Sequence, residues 1–126
     1  MKRNKYGNEK ILTPDGSFDS EAEWVRWQEL KLLLRAGKIH DLARQVKFEL
    51  VPTQYETYER RSPKTGKRLK DGRRCVEQAV YYIADFVYWD ETGCVVEDVK
   101  GVRTEAYVIK RKLMLERHGI RIREVA

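Results

Sequence analysis

Cysteine, histidine and long apolar runs are scarce in this chain. It contains two cysteines and two histidines, and Cys75 and Cys94 lie too far apart to predict a zinc site. We expect both cysteines to be reduced core residues. We expect His40 and His118, which stand at predicted helix ends, to face solvent. There is also no glycine-rich phosphate loop and no Ser/His/Asp array, so neither nucleotide binding nor serine hydrolysis is predicted.

The sequence also contains no candidate membrane segment, which limits the predicted location of the protein. No apolar run is long enough to cross a bilayer, and no stretch is typical of a signal peptide. We therefore expect a protein without membrane contact in the cytoplasm of whichever cell makes it. A chain of 126 residues predicts one domain with a modest core, which we assign to 18–126. Residues 1–17 are expected to form a flexible basic arm containing Lys2, Arg3, Lys5 and Lys10.

An acid interrupts the most apolar stretch of the sequence. Val80–Trp89 is typical of a strand buried on both faces except at Asp85, whose carboxylate requires a compensating partner if it is buried. On the next predicted strand, alternation directs Asp98 and Lys100 to one face. The polar, glycine-containing segment between the two strands predicts a hairpin. Asp85 and Asp98 are therefore expected to lie side by side.

Two carboxylates beside an ammonium group suit Mg²⁺ or Mn²⁺, which prefer hard oxygen ligands. The alternative is a simple ion pair between Asp85 and Lys100. A second alternative concerns the neighbouring acid, because a β-bulge would turn Glu97 rather than Asp98 toward the site. We favour Asp98 because it has the right spacing to Lys100.

A third acid lies on the apolar face of a predicted helix. Asp19 or Ser20 is a suitable cap for a helix over 21–36 that ends at Gly37. Glu23 shares one helical stripe with three apolar residues. These are Trp27, Leu30 and Leu34. An acid in a first turn also favours the helix dipole, but we favour a functional role for Glu23.

The remaining elements give an αβββαβ order. Strands are predicted over 46–58, 75–89 and 94–100, followed by a helix over 104–118 and a short strand within 120–125. We expect an α/β fold of the α+β type, with a mixed sheet and one helix on each face.

This order, with acids at these positions, resembles the PD-(D/E)xK nuclease superfamily. Its restriction-endonuclease-like αβββαβ core carries an acid on the second strand and an acid-x-Lys motif on the third. The resemblance spans Phe18 to the C-terminus and is narrower to a small phage and prophage family of nuclease-like proteins. The segments that carry it are Phe18-Asp19-Ser20-x-x-Glu23, Glu29-Leu30-Lys31, Gln45-x-x-Phe48-x-Leu50, Tyr82-Ile83-Ala84-Asp85-Phe86 and Glu97-Asp98-Val99-Lys100-Gly101.

The resemblance implies a metal-dependent endonuclease that leaves 5′-phosphate and 3′-hydroxyl ends. Asp85 and Asp98 would bind Mg²⁺, with Mn²⁺ as a substitute, helped by the main-chain carbonyl of Val99. Lys100 would orient the attacking water. Glu23 would bind the metal through water or contribute to a second ion.

Two further residues are candidates with open alternatives. Gln45 matches a glutamine in the family pattern, but an ordinary polar position at the start of a strand explains it equally well. Lys110 falls between two apolar flanks of the second helix, one formed by Ala106, Ile109 and Leu113 and the other by Tyr107 and Met114. Its ammonium group either contacts a DNA phosphate or snorkels to water.

Positive charge supports a nucleic-acid partner. The chain has 26 Lys and Arg against 20 Asp and Glu, a net charge of +6, and eight of the basic residues lie within 60–74. The Pro, Gly and Ser content of this segment predicts a mobile loop or hairpin tip between two strands. A charge run is usually a solvated surface, but beside an acidic metal site we expect phosphate contacts. The candidate residues are Arg60, Arg61, Lys64, Lys67, Arg68, Lys70, Arg73 and Arg74.

Three functions remain open. The leading one is a Mg²⁺-dependent DNA endonuclease that acts in phage DNA processing. A narrower alternative is a Holliday-junction or branched-DNA resolvase, which would require a homodimer. The third is a non-catalytic DNA-binding protein, which would have no reason to hold two like charges close together.

Overall fold

Two helices flank a four-stranded mixed sheet in the computed structural model, which describes residues 10–126. In chain order the elements are β1 (Ile11–Thr13), β2 (Gly16–Phe18), α1 (Glu21–Arg35), β3 (His40–Val51), β4 (Gln54–Arg61), β5 (Arg68–Glu77), β6 (Val80–Asp90), β7 (Gly93–Val99), α2 (Glu105–His118) and β8 (Arg123–Val125). Neither helix of these residues is long and apolar enough to span a membrane.

The main sheet has the strand order β3-β6-β7-β8. The first three strands pair antiparallel, and β8 pairs parallel to β7. Leu30 of α1 packs with Val95, whereas Met114 of α2 packs with Val96. Because neighbouring residues of a strand point to opposite faces, the two helices cover opposite faces of the sheet. The prediction of a mixed sheet with α-helices is confirmed.

Local signals fix the helix ends close to their predicted positions. Ser20 caps α1, where its Oγ accepts a hydrogen bond from the Glu23 N–H at 3.2 Å. Thr104 caps α2 in the same way, with the Tyr107 N–H at 3.1 Å. Gly119 ends α2 at a φ of 66°, the left-handed conformation that glycine adopts without a Cβ clash.

The predicted flexible arm over 1–17 is wrong for its last residues. Residues 11–18 form the β1–β2 hairpin, in which Ile11 pairs with Phe18. Phe18 is buried, so this hairpin is anchored to the domain. The Lys10 Nζ lies 3.7 Å from the Asp19 carboxylate. The other predicted basic residues of the arm, Lys2, Arg3 and Lys5, lie outside the described residues.

Two predicted strands are each divided into two. The strand predicted over 46–58 becomes β3 and β4, and the one over 75–89 becomes β5 and β6. Val51 pairs with Val80, so the chain leaves the main sheet at that point and returns there. The Ala79 N–H donates to Thr53 Oγ1 at 3.1 Å and closes the base of the excursion. The predicted mobile loop over 60–74 therefore belongs to a long β4–β5 hairpin whose turn spans 62–67.

Several predicted core positions are exposed. Cys75 lies on the β4–β5 hairpin and Cys94 near the β6–β7 turn, so neither thiol is in the core. Ile83 and Trp89 are 50% and 46% exposed, so β6 is not buried on both faces. His40 begins β3 instead of ending a helix; like His118 it is exposed, as predicted.

The apolar helix faces are also narrower than predicted. Leu34 is 41% exposed, since the buried stripe of α1 ends at Leu30. On α2 the buried residues are Tyr107 and Met114. Ile109 is about 200° around the helix from Tyr107 and faces solvent, as does Ala106.

Candidate functional site

The main sheet opens beside Asp85. The β6–β7 ladder runs from the Asp90–Gly93 pair to the Phe86–Glu97 pair and is not continued beyond it. The Asp85 Oδ2 accepts a hydrogen bond from the Val99 N–H at 2.7 Å. A side chain therefore replaces the main-chain acceptor at the point where the strands separate.

The alternation of side chains also breaks at Asp85. Ala84 and Val87, three residues apart, both pack on the α2 side, whereas Phe86 packs on the α1 side. Across the β3–β6 ladder, Gln45 has a φ of 51°, a left-handed conformation that is uncommon for a residue with a Cβ. Matching irregularities in two neighbouring strands therefore let residues on either side of Asp85 reach opposite faces.

A cavity of about 460 Å³ adjoins the opening, and three elements contribute to its wall. Glu23 lines it from α1 and Asp85 from β6, while Val99 and Lys100 line it at the end of β7. Glu23 is only 5% exposed. Burial, followed by hydrogen bonding with Asp85 and the charge of Asp85, raises the pKa of Glu23 far above its usual range. Carboxyl groups thus crowd one another at this cavity.

Asp98 lies at the back of the same region and is 3% exposed. Its Oδ2 accepts a hydrogen bond from the Tyr82 hydroxyl at 2.6 Å. Its Oδ1 is buried and has no hydrogen-bond partner among residues 10–126. The Lys100 Nζ lies 3.3 Å from Oδ1 without hydrogen-bond geometry, and 4.4 Å from the ring centroid of Tyr107. Burial is the main cause that raises the pKa of Asp98, and Asp85 adds to it.

Glu97 faces the other side of β7 and is fully buried. The Arg26 Nε and Nη2 donate to its two carboxylate oxygens at 2.8 and 2.7 Å, and the Tyr88 hydroxyl donates to Oε2. Both carboxylate oxygens of Glu97 thus accept hydrogen bonds from protein groups. Of the two adjacent acids, Asp98 is the one placed beside Lys100.

The donor set fits a hard divalent cation. A buried Asp98 oxygen without a hydrogen bond from residues 10–126 and two further carboxyls nearby are the groups that Mg²⁺ and Mn²⁺ bind. No three acid, His or Cys side chains of residues 10–126 are already arranged around a common ion position. Asp85 is held by the Val99 N–H and Asp98 by Tyr82. The Tyr82 contact occupies Oδ2 of Asp98, so Oδ1 is the oxygen of that carboxylate without a hydrogen bond from residues 10–126.

The other sequence candidates are not among the described residues that line the cavity. Lys110 is half-buried on α2 and is not among the described residues that line it, and Gln45 is exposed on β3. The basic residues predicted to bind nucleic acid are all exposed on the β4–β5 hairpin and its turn. They are Arg60, Arg61, Lys64, Lys67, Arg68, Lys70, Arg73 and Arg74.

Sequence reasoning missed Tyr82, Tyr107 and Arg26. Regular alternation would place Tyr82 and Asp85 on opposite faces of β6, so the pattern concealed the contact between Tyr82 and Asp98. Tyr107 was assigned to packing and lies under the Lys100 ammonium group. Arg26 is 71 residues from its partner Glu97, and no local signal connects them.

Together these features define a mixed α/β protein with two buried acids, a partly buried third acid and one lysine near the opening of its sheet. The chain belongs to the family described as "Protein of unknown function (DUF1064)", whose model matches residues 3–125. The comparisons with curated proteins and with solved structures gave no match.

Proposed function

We propose that this protein is a divalent-metal-dependent DNA endonuclease of the PD-(D/E)xK type, with Mg²⁺ as its ion and Mn²⁺ as a substitute. One observation carries the proposal. Glu23, Asp85 and Asp98 come from three separate elements and crowd one region, where a buried Asp98 oxygen has no hydrogen-bond partner among residues 10–126. Like charges held this close favour binding of a cation.

The order of elements supports the same class. Without its hairpins, the chain runs α1, β3, β6, β7, α2, β8, which is the αβββαβ order. Asp85 lies on the second of these strands. Asp98 lies on the third, and Lys100 follows two residues later. These are the positions of the acid and the acid-x-Lys motif in the proposed nuclease core.

Each side chain has a distinct role in the proposal. Asp85 and Asp98 would hold the ion with help from the carbonyl of Val99, and Glu23 would bind it through water or contribute to a second ion. A bound divalent cation supplies positive charge for the phosphate and makes water a better nucleophile. Lys100 would orient the attacking water. The water oxygen forms a bond to phosphorus and loses a proton to solvent, while the bond to the 3′-oxygen breaks and that oxygen takes up a proton, leaving 5′-phosphate and 3′-hydroxyl ends.

The pairing of Lys100 with Asp98 suits this role. Its ammonium group stays near the cavity because the Tyr107 ring and the Asp98 carboxylate face it from two sides. The ammonium group is thereby positioned before substrate arrives. The net charge of +6 provides long-range attraction for a polyanion.

The decisive experiment is a cleavage assay with Mg²⁺ or Mn²⁺ on supercoiled, linear, single-stranded and four-way-junction DNA. The test variants are Asp98→Asn and Lys100→Met. Their matched controls are Glu91→Gln and Lys112→Met, which change an exposed acid and an exposed lysine elsewhere. We expect the wild type and controls to cut, and the test variants to lose at least about a hundredfold in rate.

Two outcomes would reject the proposal. Equal cutting by the wild type and both test variants would place the activity elsewhere. If the wild type cut none of the four substrates but bound DNA, the protein would be a binding module. Comparing cleavage of the four-way junction with cleavage of the other three substrates separates a resolvase from a general nuclease.

A further inference from the structure

The β4–β5 hairpin is a long ribbon exposed on both faces. Every residue of β4 is exposed, and only Gly72 of β5 is partly covered. With eight residues in β4, the ribbon extends about 27 Å from the sheet. A two-stranded ribbon alone is at best marginally stable in water, so its shape requires specific support.

That support comes from arginine and tyrosine pairs on the two faces. Arg73 lies 3.8 Å from the ring centroid of Tyr55, and Arg74 lies 4.3 Å from that of Tyr58. Tyr58 also covers Gly72 so closely that a Cβ there would lie 2.3 Å from its Cζ. Aromatic cover of a strand glycine and cation–π contacts both stabilise a hairpin. The ribbon is therefore formed before any partner binds.

The ribbon carries most of the net positive charge. Residues 54–77 include eight basic and four acidic residues, a net charge of +4 out of the chain's +6. Three of its arginines form ion pairs within the hairpin at 2.7 to 3.2 Å. The other five cations form no ion pair with any residue of 10–126. Arg73 lies over the Tyr55 ring, and the remaining four are Arg60, Lys64, Lys67 and Lys70.

We propose that this hairpin is a double-stranded DNA-binding arm that enters the major groove, an inference that rests on the proposed action on DNA and specifies its substrate. The major groove of B-DNA, about 12 Å wide, admits a two-stranded β-ribbon, whereas the minor groove, about 6 Å wide, does not. The major groove of A-form RNA is too narrow for side-chain access. The cations on the ribbon then contact phosphates on both groove walls.

The position of the arm is consistent with delivery of DNA to the cavity. The arm leaves the main sheet where Val51 pairs with Val80. β7 ends at Val99, so Lys100 continues toward the same end of the sheet. Asp85 lies five residues along β6 from Val80, or about 17 Å. A duplex held at the base of the arm is within reach of Lys100.

The test measures binding by fluorescence anisotropy, with full-length protein in EDTA so that no cutting intervenes. The probes are a DNA duplex, the same duplex with glucosylated 5-hydroxymethylcytosine, and an RNA duplex of the same sequence. Glucose fills the major groove and leaves the minor groove open. We expect affinity to fall about tenfold or more for the glucosylated and RNA duplexes, and netropsin in the minor groove to have little effect.

A charge-matched pair of variants identifies the surface responsible. One variant replaces Lys64, Lys67 and Lys70 with alanine. The control replaces Lys38, Lys112 and Arg121, which are exposed elsewhere. We expect the hairpin variant to lower the slope of log affinity against log salt by about 3 units and the control by much less.

Each outcome decides a separate claim. Three results would reject the proposed DNA-binding arm. The first is equal affinity for the plain and glucosylated duplexes, and the second is an equal decrease of the salt slope in both triple variants. The third is a wild-type protein that does not bind duplex DNA. The nuclease proposal is judged by cutting alone. An Asp98→Asn protein that shows groove-dependent binding and wild-type cutting would reject the assigned active site and retain the arm.

Discussion

Replacing Arg26 with methionine tests how α1 is attached to β7. The substitution removes the guanidinium group and retains a side chain of similar length. It leaves the fully buried Glu97 carboxylate with the Tyr88 hydroxyl as its remaining close donor among residues 10–126. Because Arg26 follows Glu23 by one helical turn and Glu97 precedes Asp98, this attachment also sets the spacing of the proposed ion ligands.

The expected loss follows from the contacts. Arg26 makes two charge-assisted hydrogen bonds to Glu97, at 2.8 and 2.7 Å. Hydrogen bonds to charged groups contribute about 1.5–3 kcal/mol each, and breaking a buried ion pair costs about 3–5 kcal/mol. The contact with Glu29 adds little, because that side chain is 55% exposed and surface pairs contribute about 0–1 kcal/mol. We therefore expect the free energy of unfolding to fall by about 3–5 kcal/mol.

Urea unfolding followed by circular dichroism measures this loss. Glu29→Gln is the control and should change the free energy of unfolding by less than about 1 kcal/mol. The double variant Arg26→Met with Glu97→Leu removes both charges and should regain most of the stability. An Arg26→Met protein within about 1 kcal/mol of wild type would refute the reasoning, since no buried charge would then have been left unpaired.

Three further predictions concern single positions. Tyr82→Phe should weaken Mn²⁺ binding about tenfold in calorimetry, because Asp98 loses the hydroxyl that orients it; an unchanged affinity would contradict this. Gln45→Gly should raise the free energy of unfolding by about 0.5 kcal/mol, since glycine relieves the left-handed backbone but loses more entropy on folding. Gly119→Ala should lower it by about 1 kcal/mol in urea unfolding, because alanine is strained at a φ of 66°, and a stabilised variant would be evidence against the cap.

The helix boundaries and β7 could be predicted because their signals are local. Ser20 and Gly119 act within one turn of the helix ends that they define. In β7, regular alternation was enough to place Asp98 and Lys100 together and Glu97 on the other face. No residue outside these segments was required for those inferences.

The hairpin and the packing around β6 depend on distant partners. The division of the predicted strands follows from the pairing of Val51 with Val80. Pro52, which has no N–H to donate to a ladder, directly follows Val51 and is a local signal of this exit that strand periodicity does not take into account. The contact between Tyr82 and Asp98 depends on the broken alternation at Asp85, which is matched by the unusual backbone of Gln45. Strand periodicity assumes a regular ladder, so it fails where the ladder is interrupted.

Asp85 connects the fold of the sheet to the chemistry proposed for it. Its carboxylate accepts the Val99 N–H at 2.7 Å and so compensates for a lost ladder bond while the sheet opens. An apolar residue there would leave that N–H without its acceptor, and such losses cost about 1–3 kcal/mol when buried. Asparagine retains an acceptor oxygen and removes the charge, so Asp85→Asn tests the charge while the hydrogen bond to Val99 is kept. Alanine would remove the acceptor and the charge together. The sheet can thus open at this point because an acid is present, and the same acid then faces Glu23 across the opening.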